Sequence, residues 1–405
     1  MKFLVIAQDL RVSGTSEGIV SRSFISKLRI AYPDSIIDVV YLGNHENDDK
    51  LDLLPVNNLI KYSISHKIPF FTRWLNKVYW RLFHVSLNER YIQKLYAFYI
   101  RKIDYEKYDH IFIRSTGLEY ETILGAKDLP ILKKAIINFH DPYPVFWNTG
   151  SKNKLSVIEL FRLKEMLKVV QQAKECMSPA RLLSCDMEHL YGTNKKFHVL
   201  PHQFSESVFD FSDIGKIIKK NKKINISHHG AIQFARNVDI LIEAYKELIE
   251  NNSFYKKYTE LSLRLGGFEN KRLISKYSEC SNIIILDTID FCNSSQEQTN
   301  ESDILIILEN CCLNSNILGG KVPFIASINK PLLSLSPERS EIRMLLTDNQ
   351  FIANCDDREE IKQKLENLII NRLNSNEPVF PFGDYFGDKN FKKMLDKILF
   401  ENNEN

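Results

Sequence analysis

The sequence predicts an α/β protein built from two doubly wound domains. Three observations carry that reading. Short continuous apolar runs, such as residues 3–7 and Ile304–Leu308, have the signature of parallel strands buried on both faces. Amphipathic helical stretches alternate with these runs along the chain, as successive βαβ units require. At 405 residues, 44% hydrophobic and 26% charged, the chain can fill two such cores. A net charge of +3 gives no sign of a nucleic-acid partner.

In chain order, residues 3–7 form the first strand and Ser13-Gly14-Thr15-Ser16-Glu17-Gly18 the loop after it. A helix over about 19–29 and a strand over 36–42 complete a βαβ opening. The loop lacks a GxGxxG pattern, so Gly14 and Gly18 either only turn the backbone or bring it against a ligand. Residues 67–102 differ in character. Phe70, Phe71, Trp74, Tyr79, Trp80 and Phe83 are interleaved there with Lys67, Arg73, Lys77 and Arg81. Arg90, Lys94, Arg101 and Lys102 follow, and Glu89 is the one acid of the segment. Two readings are open: helices lying on an anionic membrane surface, or a helix pair with its aromatics in a core and its cations in water.

Strands follow at His110–Arg114 and 135–139, and the second runs into His140-Asp141-Pro142-Tyr143-Pro144. Polar residues at the carboxyl end of a parallel strand stand where open α/β sheets keep their ligands. His140 and Asp141 are therefore candidate site residues, with a satisfied structural histidine as the alternative for the first. Asp141 could orient its loop, cap a turn beside Pro142, or accept a proton. Helices over 155–174 and after Ser178-Pro179 flank a short strand at 176–177, and a strand at 197–200 closes this half at Pro201. The lysines of 205–223 (Lys216, Lys219, Lys220, Lys222, Lys223) read as a solvated linker.

The second half is organised around residues 224–249. A strand with Ile224, Ile226 and His228 on one face breaks at Gly230, and Asn237 is placed to cap the next helix. Val238, Leu241, Ile242, Tyr245, Leu248 and Ile249 make one apolar stripe on it. A strand that turns at a glycine into a helix aims free amides, and the positive end of the helix dipole, at one point, a geometry suited to phosphate. Arg236 would add a full charge there. The same pattern also fits an ordinary strand–loop–helix unit that binds nothing. Strands at 261–265, 283–286 and Ile304–Leu308 come next, then a loop holding Gly320-Lys321, a helix near 322–328 and a strand at 331–335. Ser336-Pro337-Glu338-Arg339-Ser340-Glu341 reads as a helix start, and Asp388–Phe400 as a last amphipathic helix. Two such halves imply a cleft with ligands at the strand ends facing it.

Seven scattered cysteines, an odd number without metal-type spacing, point to free thiols in a reducing compartment. The N-terminus reads as a strand rather than a signal peptide, and no apolar run reaches the ~20 residues of a membrane span. A cytoplasmic protein is expected, peripheral on the inner face of a membrane under the first reading of 67–102.

In these residues the chain resembles the GT-B glycosyltransferases, and among them the retaining glycosyltransferase family 4. The resemblance runs in order over most of the chain: the Gly-Thr-Ser loop, His140-Asp141-Pro142, Ser178-Pro179, Val199-Leu200-Pro201-His202 and Gly230 through Arg236-Asn237. It continues with Gly320-Lys321, Lys330-Pro331-Leu332-Leu333, Ser336-Pro337 and Ser340-Glu341. It implies two Rossmann-like domains facing a central cleft: 1–204 for the acceptor, joined by a C-terminal helix 386–401 packing back on it, and 205–385 for a nucleotide-diphosphate sugar. It further implies that Gly14 and Thr15 approach the donor diphosphate, that His140 lies beside the transferring sugar, and that Gly230 and Arg236 face the phosphates. Lys321, Ser340 and Glu341 would line the nucleotide and sugar pocket. No metal or other cofactor is implied, and there is no Asp-x-Asp at a strand end.

The chain also departs from the pattern. Ala231 stands where a basic residue is usual, Arg236 where a lysine is usual, and the paired glutamates fall on Asn316 and Phe324, with Glu309 out of register. Glycosyl transfer to a glycan or lipid-linked acceptor in surface polysaccharide biosynthesis is the leading expectation. A non-catalytic nucleotide-sugar-binding protein and a nucleotide-sugar epimerase of the same fold are the alternatives.

Overall fold

Phe3, Leu4, Val5, Ile6 and Ala7 are each shielded completely from solvent, as a strand in the middle of a two-sided sheet must be. This strand opens a computed structural model that describes residues 1–12, 16–45, 49–117, 119–144, 155–192, 194–212, 215, 217–233, 235–267 and 269–400. The chain divides into two units: one runs to Val208 and takes up the chain again from Gly387, and the other spans Phe209–Phe386.

The elements of the first unit are β1 (Lys2–Ala7), α1 (Ser16–Ala31), β2 (Ile36–Gly43), β3 (Asn58–Ser63), α2 (Phe70–Phe83), α3 (Leu87–Ile100), β4 (His110–Arg114) and α4 (Glu121–Gly125). Then come β5 (Ala135–Asn138), α5 (Val157–Gln172), β6 (Glu175–Ser178), α6 (Arg181–Tyr191) and β7 (Phe197–Val199). The second unit has β8 (Ile224–Ala231), α7 (Val238–Asn251), α8 (Ser253–Tyr258), β9 (Thr259–Gly266), α9 (Asn270–Tyr277), β10 (Ile283–Asp287) and α10 (Phe291–Glu301). It continues with β11 (Ile304–Leu308), β12 (Asn314–Ser315), α11 (Val322–Ser327), β13 (Leu332–Ser336), β14 (Arg339–Ser340), α12 (Glu341–Leu345), β15 (Ile352–Asn354) and α13 (Arg358–Asn374). A final helix, α14 (Asp388–Phe400), belongs to the first unit.

Both main sheets are parallel. Their strand orders are β3-β2-β1-β4-β5-β6-β7 and β10-β9-β8-β11-β13-β15. Numbered within each sheet, the strands run 3-2-1-4-5-6, the doubly wound Rossmann order, with a seventh strand, β7, added at the end of the first. The expected fold class is thus observed in each half. The order reverses between β1 and β4 and again between β8 and β11, and these switch points are where such sheets hold ligands.

Local chemistry explains some boundaries and contacts. All six stripe residues of α7 are buried, and the Asn237 side chain accepts from the Ile240 amide. In the first unit, Phe24 of α1 lies between Phe112 of β4 (5.1 Å) and Phe391 of α14 (6.1 Å). The fully buried guanidinium of Arg22 donates to the carbonyls of Leu10, Asp49, Lys50 and Val208, which supply the polar surroundings that a dry cation needs.

Several expectations are corrected. Residues 336–341 do not start a helix at Ser336: that residue ends β13, and α12 begins only at Glu341, where the Ser340 hydroxyl accepts from Arg343 N. The helix after Ser178-Pro179 begins at Arg181, because the Ser178 hydroxyl bonds the Ala180 carbonyl and Ser184 instead of a helical amide. Lys220 is not simply solvated, since it pairs with Asp303 at 2.8 Å. No described helix is long and apolar enough to cross a membrane.

Candidate functional site

At the switch point of the second unit, His228, His229, Gly230 and Ala231 end β8, and Glu309 directly follows β11. The two histidines point to opposite faces, as neighbours on a strand do. His229 is a structural group. Its Nδ1 is 2.9 Å from the Ser294 hydroxyl and its Nε2 3.5 Å from Glu297, whose carboxylate is held at 2.7 and 2.8 Å by the Arg264 guanidinium. His228 is different. Its Nδ1 lies 2.9 Å from the Ile306 carbonyl, which can only accept, so Nδ1 carries the proton. Burial, with smaller effects of Lys321 and Arg236, pushes its pKa down to about 3. The ring is therefore neutral, and its Nε2 is a bare acceptor with no partner among the described residues. Gly230 makes room for it: a Cβ there would stand 2.9 Å from Nε2.

Two cations gather beside this ring. Lys321, at the N-cap of α11, donates from Nζ to the His229 carbonyl at 3.0 Å. Burial first, and then the Arg236 charge, lowers its pKa to about 8, so the ammonium persists at neutral pH. Arg236 donates from Nη1 to the Ala231 carbonyl at 3.1 Å. The intervening turn is held by Cys311 N on the Ala235 carbonyl (3.1 Å), with Ala235 at φ +64, a left-handed conformation that a β-carbon disfavours. Glu309 lies underneath. Burial raises its carboxyl pKa, opposed by the hydroxyls of Ser336, Ser340 and Ser315 and by Arg236, and the Ser340 hydroxyl donates to its Oε2. Glu341 is fully buried at the start of α12. Two like charges held close and partly dry raise each other's energy, and a bound anion would relieve it.

The switch point of the first unit has a different chemistry, with carboxylates set among the cations Arg11 and Arg114. Asp9, just past β1, takes Arg11 at 2.6 Å and the Thr116 hydroxyl at 3.3 Å. The Gln8 amide donates to Glu121 at 2.7 Å, and its Oε1 accepts from Thr122 N and Oγ1. Burial raises the carboxyl pKa of Glu17 and Glu121. One strand over, His140 is 1% exposed, its amide 3.4 Å from the Ser115 hydroxyl and its ring 5.4 Å from that of His202. Burial, then Arg114 and His202, push its pKa well below the usual histidine range. Neither ring nitrogen has a partner among the described residues. A neutral imidazole has one donor and one acceptor, and both are unused here. Asp141 is half-buried, and its backbone carbonyl accepts the Tyr120 hydroxyl.

Of the residues the sequence singles out, Gly230, Arg236 and Lys321 gather at one locus, and Ser340 joins them through Glu309. His140 and Asp141 stand together at the end of β5, in the other unit. Gly14 and Thr15 lie outside the described residues. Sequence reasoning missed the roles of His228 and Glu309. A His-His-Gly run at a strand end was an available signal for the first. No local signal marked the second, because the hydroxyls that surround it come from β12, β13 and β14, distant in sequence.

No family model and no curated protein matches the chain. Solved structures do. A trehalose-6-phosphate synthase, OtsA, superposes with a TM-score of 0.64 at 12% identity over 100% of this chain and 99% of its own. The lipopolysaccharide outer core galactosyltransferase WaaB gives 0.59 at 12%, covering 99% and 100%. A UDP-GlcNAc 2-epimerase from Neisseria meningitidis, bound to UDP-GlcNAc, gives 0.57 at 14%, covering 99% and 100%. At these identities the likeness shows the fold, the two-domain GT-B class that the sequence motifs suggest.

Proposed function

We propose that the protein is a cytoplasmic glycosyltransferase that moves a sugar from a nucleotide-diphosphate donor to a glycan or lipid-linked acceptor in surface polysaccharide biosynthesis. It does so with retention of configuration and without a metal. The observation that carries this reading is the pairing of Arg236 and Lys321 beside a neutral His228 at the switch point of the second unit. In the transfer, the bond from the anomeric carbon to the diphosphate oxygen breaks and its electron pair leaves with the diphosphate. Two fixed cations stabilise that developing charge without a metal. The acceptor oxygen bonds to the anomeric carbon, and its proton passes to the leaving phosphate oxygen or to a carboxylate such as Asp141. His140, with one donor and one acceptor unfilled, suits a sugar hydroxyl, which needs both.

A second reading is a nucleotide-sugar epimerase, favoured by the equal coverage of the UDP-GlcNAc 2-epimerase fold. Incubating the purified protein with a panel of nucleotide sugars separates the readings. Slow release of free sugar and nucleoside diphosphate is expected for the transferase. An altered but intact nucleotide sugar would establish the epimerase, and binding without turnover would leave an inert binding protein.

A further inference from the structure

The helix α2 is amphipathic in an unusual direction, with its apolar face turned to water. None of its residues is buried. Thr72, Leu75, Asn76 and Trp80, all half-buried, form the side nearest the rest of the unit, and Asn76 Oδ1 accepts from the Asn88 amide at the start of α3. On the outer side, Phe70, Trp74, Val78 and Leu82 follow one another at intervals of four residues, a single row along a helix. Their exposures are 77%, 54%, 41% and 65%. Phe71 adds its ring, stacked at 6.3 Å on Trp74. A parallel row three residues on, Arg73, Lys77 and Arg81, is exposed as well, and the helix holds no acid.

We propose that α2 seats the protein on an anionic phospholipid surface, its apolar row inserted at the headgroup level and its cationic row on the lipid phosphates. This goes beyond the glycosyl-transfer reading and does not depend on it. Large exposed rings in one row mark a surface that something covers. The chemistry of the occupant follows from charge. A two-fold contact between this face and its own copy would set cation against cation with no acid to offset them. An anionic bilayer complements both rows at once: rings and aliphatic groups enter the interface while Arg and Lys stems extend beside them to the phosphates.

The test is co-sedimentation of the full chain with phosphatidylcholine vesicles, with and without phosphatidylglycerol, at low and at high salt. Binding is expected with the anionic lipid only, weakening as salt shortens the screening length from about 10 Å near 0.1 M to about 3 Å near 1 M. The triple variant Arg73→Gln, Lys77→Gln, Arg81→Gln should partition on the order of 10²-fold less, at about fivefold per cation. A second variant, Phe71→Ser, Trp74→Ser, Leu82→Ser, should lose binding while melting like the parent, because these side chains are exposed. Three results would overturn the proposal: protein left in the supernatant with anionic vesicles at low salt, equal binding to vesicles without the anionic lipid, or a concentration-dependent dimer that the serine variant dissolves.

Discussion

The two units share a strand order and differ in what they place at its reversal. Between β8 and β11 stand Lys321, Arg236 and a histidine held neutral. Around β1 and β4 stand Asp9, Glu17 and Glu121, and one strand over a histidine whose ring nitrogens have no partner among the described residues. The scaffold sets where a ligand can sit, and the residues after each strand set its charge. The cationic point fits an anion, whereas the acidic one fits an uncharged, hydroxyl-rich group. Under the proposed transfer, that difference divides the labour, with the donor diphosphate on the second unit and the acceptor on the first.

The largest expected effect falls on the cationic point. Arg236→Ala should lower turnover by on the order of 10²–10³, the scale for one preorganised charge-stabilising group. A normal rate of donor breakdown would show that the contrast between the units is electrostatic decoration. The mirror experiment addresses the acidic side. His140→Leu should reduce turnover by about 10²-fold, at the lower end for a group that hydrogen-bonds a reacting hydroxyl. The same change should leave stability equal or raise it by about 1 kcal/mol, since it removes a buried ring whose polar atoms are unpaired. Thermal melting alongside rate measurements decides the point. Activity lost only in proportion to folded protein would make His140 structural.

A middle-sized effect is expected where glycine and histidine share space. Gly230→Ala would set a methyl 2.9 Å from His228 Nε2, and the ring is fixed by its bond to the Ile306 carbonyl. A cost of about 1–3 kcal/mol in urea unfolding is expected, the range for overpacking. In the background of His228→Ala the same substitution should cost much less, because the obstructing ring is gone. Additive costs in that double-mutant cycle would separate Gly230 from His228.

How much of this could be read beforehand follows from where the information lies. The core strands are legible because burial on both faces demands unbroken apolar runs, and α7 because its stripe and its Asn237 cap are local. The edge strand β3 is half in water and lacks that run. The helix α10 escaped because, Phe291 apart, its buried residues are polar: Ser294 and Glu297 bond His229 and Arg264 on neighbouring strands, while Asn293, Ser295 and Gln298 bond within the helix and its cap. In the site, Arg236 and Lys321 could each be named from their local setting. Their mutual repulsion arises across 85 positions of chain and appears only in three dimensions. Glu309 is out of register with the family's glutamates, yet burial beneath Ser340 ties it to the site through the serine that ends β14.

The smallest effect, and the one most specific to the contrast, is a change with pH. Lys321 faces Arg236, His228 and His229. Both rings stay neutral well below neutral pH, so above it the lysine is the titrating member of the group. Its pKa of about 8 gives two slopes of opposite sign. A diphosphate requires the ammonium form, so affinity for uridine diphosphate should begin to fall near pH 8 and drop by up to about tenfold per further unit. For the free protein the sign is reversed. The unfolded lysine keeps its proton to about pH 10.4 while the folded one has lost it, so the unfolded state binds more protons and unfolding free energy rises with pH in that window. Equivalently, stability present at the upper end is lost as pH falls back through 8. Lys330, also lowered to about 8 by burial, contributes to the same rise, so the comparison must be with Lys321→Met. That variant should bind the nucleotide weakly, with little pH dependence, and should retain only the remaining part of the stability slope. Calorimetric titration and urea unfolding between about pH 7 and pH 10 measure both slopes. A parent affinity that stays level across that range would move the diphosphate away from Lys321, and the division of charge between the two units would then need another explanation.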